Sequence, residues 1–335
     1  MTKLKNGEVP MDLDSTSEEA EKEESQVAEA QFLLSEIDEA AKNVEKVLGC
    51  QLIILAFHDF AGIERNVVDD FEFYIMERNL NTDSDICILL HTFGGNADAA
   101  YHLGIRIQNL AKKQLIIVVP RLAKSAGTLL ACAGNKIYVT PIAELGPVDP
   151  QVQLPSTGRY VSAKTIRDSL KQVIEAIEES KTSKEQIVKV VFSSIPIAEM
   201  GHYESLLNHV KSLLEEVLSR RMKQGKDKKE ISEIAEKLIK GFVYHGKAIH
   251  IEEAKNIGLE IEVLDGDKLK VVYDIYQKLK KLFDTLNELL EPLIYVAEIP
   301  PPTRPYKIKH GLIYMPSIED WLRMLSIISE IKRSG

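Results

Sequence analysis

The chain has 335 residues, 42 lysines and arginines against 51 aspartates and glutamates, a formal charge of −9 and 44% hydrophobic residues. That length and apolar fraction suit a folded chain with a real core rather than a disordered one. The negative balance argues against a general nucleic-acid binder, which needs a basic face to displace counterions.

Reading in chain order, the first stretch MTKLKNGEVPMDLDSTSEEAEKEE lacks the apolar run of a signal peptide. Residues 11–40 hold 11 acidic side chains and a single basic one, Lys22, so the acidity is local and the rest of the chain is close to neutral. Within that block Phe32, Leu33, Ile37, Ala40, Ala41, Val44 and Val47 recur at helical spacing. The pattern predicts disorder over 1–16 and a helix over about 17–48, an acidic arm packed on the body or on a partner subunit.

From Gln51 to about Pro150 short aliphatic runs alternate with amphipathic stretches. Strands are predicted at Leu52–Phe57, Ile86–His91, Leu115–Pro120 and Ile137–Thr140, with helices at Val67–Arg78, Ala97–Ala111 and Ser125–Ala133. Runs buried on both sides with helical crossovers imply a parallel sheet covered on both faces, an α/β architecture. None of these runs approaches the ~20 residues that cross a bilayer. Residues 166–240 read as mostly helical, with Leu206, Val210, Leu213 and Val217 forming an apolar stripe. A short helix near Glu252–Asn256, a strand at Glu260–Leu264 and a long helix over Asp267–Val296 follow. Pro300 to Pro305 reads as a stiff linker to a final helix at Ile318–Ile331. The domains so drawn are 1–48, the α/β body 49–266 with its helical part 166–240, and a C-terminal helical extension 267–335. Cys50, Cys87 and Cys132 are odd in number and far apart, and read as reduced thiols of a cytoplasmic protein.

Two loops at predicted strand ends carry the chemistry, since open α/β sheets place ligands there. In His91-Thr92-Phe93-Gly94-Gly95-Asn96-Ala97-Asp98 the paired glycines let a backbone approach closely and expose N–H groups, although Gly-Gly also makes a plain tight turn. In Arg121-Leu122-Ala123-Lys124-Ser125-Ala126-Gly127-Thr128 a serine opens a helix. It is an ordinary N-cap there, or a nucleophile whose negative charge the helix N-terminus favours.

Strand–HTFGGNADAA–helix–strand–PRLAKSAGTLLACAG–strand–TPIAELGPVDPQ, with Glu253-Ala254-Lys255-Asn256-Ile257-Gly258-Leu259 further on, resembles the serine peptidases of the ClpP/crotonase fold. The nearest branch is the signal peptide peptidase A type and its soluble serine dehydrogenase proteinase family. The likeness covers about residues 50–265. It implies a ClpP/crotonase-like parallel sheet with helical crossovers, Ser125 as nucleophile, and an oxyanion hole from the N–H groups of Gly95 and Ala126. The exposed backbone beside Gly94 would pair with an extended peptide. No histidine lies between His102 and His202, and the register that carries a histidine in the ClpP branch falls near Asp149. The resemblance therefore points to a lysine base, first Lys164 and then Lys171; Lys124 adjoins the serine but is expected to point elsewhere. Phe93 stands where the family commonly has proline. His91 reads as a core residue. His202, His209, His245 and His250 could reach the site within or between subunits but read first as surface or structural, and Asp98 and Asp149 could orient a base but read first as caps or turn residues.

The chain thus reads as a cytoplasmic serine peptidase acting on peptide or unfolded protein. It needs no cofactor or metal, has no nucleic-acid partner or membrane span, and forms a homo-oligomer. Its rivals are a crotonase-like acyl-CoA enzyme and a non-catalytic scaffold of the same fold.

Overall fold

The computed structural model describes residues 15–78, 80–154, 158–179, 189, 197–297 and 302–317. A seven-stranded sheet forms its centre, built from β1 (Gln51–Phe57), β2 (Ile86–His91), β3 (Leu115–Val119), β5 (Lys136–Val139), β9 (Ile261–Val263), β10 (Thr303–Ile308) and β11 (Gly311–Pro316). The order across it is β10-β11-β1-β2-β3-β5-β9, with every pairing parallel except β10 against β11. The alternation of side chains across the pleat divides each central strand between two cores. Ile53, Leu55 and Phe57 of β1 face one core with Ile86, Ile88 and Leu90 of β2, while Leu52, Ile54 and Ala56 face the other with Cys87 and Leu89. Burial on both sides is why these strands read as unbroken apolar runs.

The first core is roofed by α2 (Arg65–Glu77), α3 (Ala97–Leu110), α4 (Ala126–Ala131), α6 (Ile197–Arg220), α7 (Lys228–Lys240) and α8 (Ile251–Ile257). Helix α5 (Ala163–Glu179) contributes Ala163 to that core and packs on α6. The second core is covered by α1 (Ser15–Leu48) and α9 (Gly266–Ala297) packed together, and α9 runs unbroken through Pro292.

Of the two placements expected for the acidic helix, the structure shows packing on the body: Leu33, Ile37, Ala40, Ala41 and Val44 are buried on the sheet. Its Asp38 carboxylate accepts the N–H groups of Lys309 and His310, both at 3.0 Å. Residues 303–316, placed in a proline-rich linker and helical extension, form the hairpin β10–β11. β11 pairs in register with β1 and so completes the sheet of the body. Pro305 is tolerated because β10 is an edge strand, where a missing N–H costs no central ladder bond. Cys50 and Cys87 are not free thiols: both face the second core, with Cα atoms 5.9 Å apart and a disulfide between them, which leaves Cys132 as the buried free thiol. The disorder expected over the first residues and the helix at Ile318–Ile331 lie outside the described residues. No helix among the described residues is long and apolar enough to cross a membrane.

Because Ile37 is fully buried between α1 and the sheet, Ile37→Ala should lower the unfolding free energy by about 2–5 kcal/mol in urea titration. A solvated arm would leave it unchanged.

Candidate active site

The site forms where the two loops meet at the carboxyl ends of β2 and β3. A two-residue strand, β4 (Leu122–Ala123), lies beside β6 (Glu144–Leu145) and bridges to Thr92. The N–H of Thr92 donates to Leu122 (3.0 Å), and the N–H of Lys124 returns to Thr92 (3.1 Å). The chain then reverses into α4. The Thr128 hydroxyl, fully buried, donates to the carbonyl of Ala123 (2.7 Å) and accepts the N–H of Gly146 (2.9 Å), pinning α4 to both flanking segments.

Ser125 sits at the reversal with φ 51° and ψ −119°, and it is the one non-glycine residue with positive φ among the described residues. Such a backbone costs about 1–3 kcal/mol and persists only where the surroundings enforce it. Ser125 occupies the cap position of α4, yet its side chain makes no capping hydrogen bond. The N-cap reading of this serine therefore fails.

Gly94 (φ 122°) and Gly95 (φ 142°) fold against it. A Cβ on Gly94 would lie 2.8 Å from the Ser125 Cβ, and one on Gly95 would lie 2.4 Å from the Ile63 nitrogen. The Gly94 N–H donates to the Thr92 hydroxyl (3.0 Å) and its carbonyl accepts the Ile63 N–H (2.8 Å). The backbone of Gly94 is therefore already engaged, and Gly95 faces the cleft in its place. Among the described residues, the N–H groups of Gly95 and Ala126 donate to no backbone acceptor. Both border the same open cleft of about 410 Å³ with Ser125. Two unspent donors beside a serine form a trap for a negatively charged oxygen.

The other walls come from distant segments. Asp98 opens α3, and Leu206, His209 and Val210 project from one face of α6. Asp149 and Tyr160 close the far side. His209 Nε2 lies 2.7 Å from Asp98 Oδ1, and His245 Nδ1 lies 2.8 Å from Asp149 Oδ1. The sequence left these roles open but ranked them second, because the partners are 111 and 96 residues apart and no local spacing pairs them.

The lysines lie elsewhere. Lys164, in the first turn of α5, has its ammonium 3.1 Å from Asp168 Oδ2 and is not among the residues lining the cleft. Lys171 is further along the same helix and does not line the cleft either. Lys124, next to the serine, runs behind α4. It donates to the Lys247 carbonyl (2.8 Å) and lies 3.5 Å from Glu144, and burial moves its ammonium below the usual lysine range. It holds the 246–247 loop in place, is paired with Glu144 and does not line the cleft. His91 is a core residue as read. Burial, aided by Arg121, holds it down to about 4, and its Nδ1 has no partner.

A serine at a strand–helix reversal of a parallel sheet, sharing a cleft with two N–H groups that have no backbone acceptor, is an arrangement suited to acyl transfer. Residues 66–292 match the model of the ClpP-like SDH-type serine proteinases, and the chain belongs to that family. Among curated proteins it is similar to uncharacterized protein MJ0137 of Methanocaldococcus jannaschii, 28% identical over 197 residues, 58% of this chain and 60% of that protein. It is also similar to uncharacterized protein MJ1495 of the same organism, 28% identical over 196 residues, 58% of each. The chain thus spans about three fifths of the length of the curated relatives it matches. Among solved structures it is similar to a mutant of the 1510-N membrane-bound stomatin-specific protease (20% identity, 71% of this chain, 86% of that one, TM-score 0.41). A second mutant of that protease, in complex with a substrate peptide, gives 21% identity, 84% of this chain, 99% of that one and a TM-score of 0.40.

Two outcomes follow from the geometry. Ser125→Gly releases the positive-φ strain and should raise the unfolding free energy by about 1 kcal/mol in urea titration. His91 is depressed from 6.5 to about 4, so on acidification the unfolded chain takes up a proton that the folded chain refuses. Stability should be full above pH 6.5 and fall between 6.5 and 4, by up to about 1.4 kcal/mol per pH unit from this group. Unfolding titrations of wild type and His91→Gln at pH 7 and pH 5 measure that component.

Proposed function

We propose that the chain is a serine peptidase that cleaves peptides or unfolded protein by acyl transfer through Ser125. The strained Ser125 between the two free N–H groups carries the reading: a purely structural serine gains nothing from a backbone that costs energy and an uncapped hydroxyl. The same strain disfavours the crotonase-like alternative, whose chemistry needs no serine nucleophile. As Ser125 Oγ bonds to the scissile carbonyl, charge develops on the carbonyl oxygen, where Gly95 and Ala126 donate. The helix start behind Ala126 adds a favourable partial charge.

The resemblance supplies Lys164 as the proton acceptor. To serve, its amine must exchange Asp168 for the serine hydroxyl, a shift of the first turn of α5. We also propose a homo-oligomer, supported by Phe93, Ile142 and Tyr160, large apolar side chains exposed around the site loops. Cytoplasmic residence remains part of the reading, with the Cys50–Cys87 bond buried away from soluble reductants.

Labelling by a fluorophosphonate probe, with hydrolysis of fluorescent casein alongside, tests the reading. Wild type should label and Ser125→Ala should not. Gly95→Ala should label about 10²-fold more slowly, since a displaced oxyanion donor costs that much. Wild-type labelling no greater than that of Ser125→Ala would sink the peptidase assignment. Lys164→Ala tests the lysine part: a Ser–Lys site loses labelling with it.

A further inference from the structure

We propose that Glu64 makes this cleft selective for substrates that carry a lysine or arginine side chain at the reacting carbonyl. The inference rests on the peptidase reading and names the class of peptide that Ser125 receives. Its ground is placement: Glu64 lines the same cleft as Ser125, Gly95 and Ala126, and no lysine or arginine lines it.

Glu64 is held in place by the residue before it. Ile63 is fully buried; its N–H donates to the Gly94 carbonyl (2.8 Å) and its carbonyl accepts the Asn96 N–H (2.8 Å). This parallel bridge from Ile63 to Gly95 ties the base of Glu64 to the loop that supplies the oxyanion donor. The position a Cβ would take on Gly62 lies 3.5 Å from Glu64 Oε1 and 3.6 Å from the Gly95 Cα. The carboxylate therefore stands within one side chain's reach of the Gly95 donor.

Its charge is also uncommitted. Glu64 is exposed at the cap position of α2, yet it makes no capping bond and no ion pair among the described residues. The other two carboxylates of the cleft are engaged: Asp98 with His209 Nε2 (2.7 Å), and Asp149 with His245 (2.8 Å) and Gln151 (3.2 Å). The cations of the surrounding elements are engaged as well. Arg167 of α5 is tied to Asp168 and Glu204, and Arg121 and Lys124 are tied to Glu144.

An unpaired carboxylate this close to the oxyanion donors opposes the negative charge that attack by Ser125 creates. A substrate cation beside Glu64 removes that penalty, so it favours the transition state as well as binding. The neighbouring wall suits the stem of such a side chain. Val148, Leu206 and Val210 offer apolar surface to the methylenes of lysine or arginine, while the charged end reaches on to the carboxylate. An acidic side chain in the same place meets Glu64 with like charge and is rejected.

The test uses the full chain and three α-aminoalkyl diphenyl phosphonates that differ only in side chain: lysine, norleucine and glutamate. Their rates of reaction with Ser125 compare the side chains without turnover, and a simple fluorophosphonate reports on the nucleophile separately. The lysine probe should react about tenfold faster than the norleucine probe, a similar chain without the charge, and the glutamate probe slowest. Glu64→Gln should erase the lysine advantage, and Glu64→Lys should reverse the order of lysine and glutamate, with thermal melting as a check on folding. Suppose the fluorophosphonate labels Ser125. Equal lysine and norleucine rates in wild type, zero included, or a lysine advantage that survives in Glu64→Gln, then overturn the inference and leave the peptidase reading intact. No labelling of wild type by any of the four probes overturns both. If Glu64→Gln melts early, Glu64→Lys decides, and an unreversed order overturns the inference.

Discussion

The structure turns on one enforced backbone conformation, the positive φ of Ser125. It is held by ordinary hydrogen bonds: Thr92 and Lys124 exchange N–H···O contacts, and Thr128 ties α4 to Ala123 and Gly146. Each is worth little alone, but together they leave the Lys124–Gly127 turn no relaxed alternative. The result is a serine in the cap position of α4 whose side chain makes no capping bond, with the amide that follows it left open. Gly94 and Gly95 are required by the same turn, because any side chain there would collide with Ser125 or Ile63.

Such a strained turn needs a rigid frame, and the two-sided sheet provides one. β1, β2 and β3 are buried on both faces, and the faces are closed by helices from opposite parts of the chain. The acidic first helix and the long α9 share the second face, and the hairpin β10–β11 extends the sheet beyond β1. Segments that look appended in sequence therefore support the strand from which the chain reaches Ile63 and then Gly95.

The residues around the cleft come from unlike parts of the fold. Ser125, Gly95 and Ala126 belong to neighbouring loops of one sheet, whereas Lys164 is paired with Asp168 on α5 and His209 lines the cleft from α6. The loops are placed by local turn chemistry, and what faces them from the helices is placed by packing.

By itself the sequence determined the elements and the two loops. Apolar runs buried on both sides could only be strands of a covered sheet, and Gly94-Gly95 and Ser125 sit at their ends, where local periodicity and turn chemistry suffice to find them. The register of residues 303–316 against β1, the docking of the acidic helix, the Cys50–Cys87 bond and the His209–Asp98 pair were decided by tertiary structure alone. Each joins residues far apart in the chain. Pro305 looked like a linker because proline breaks strands in general, and only its edge position makes it harmless. The apolar stripe of the acidic block was visible in its spacing, but whether the body or a partner subunit buries it is set by which surface that face meets.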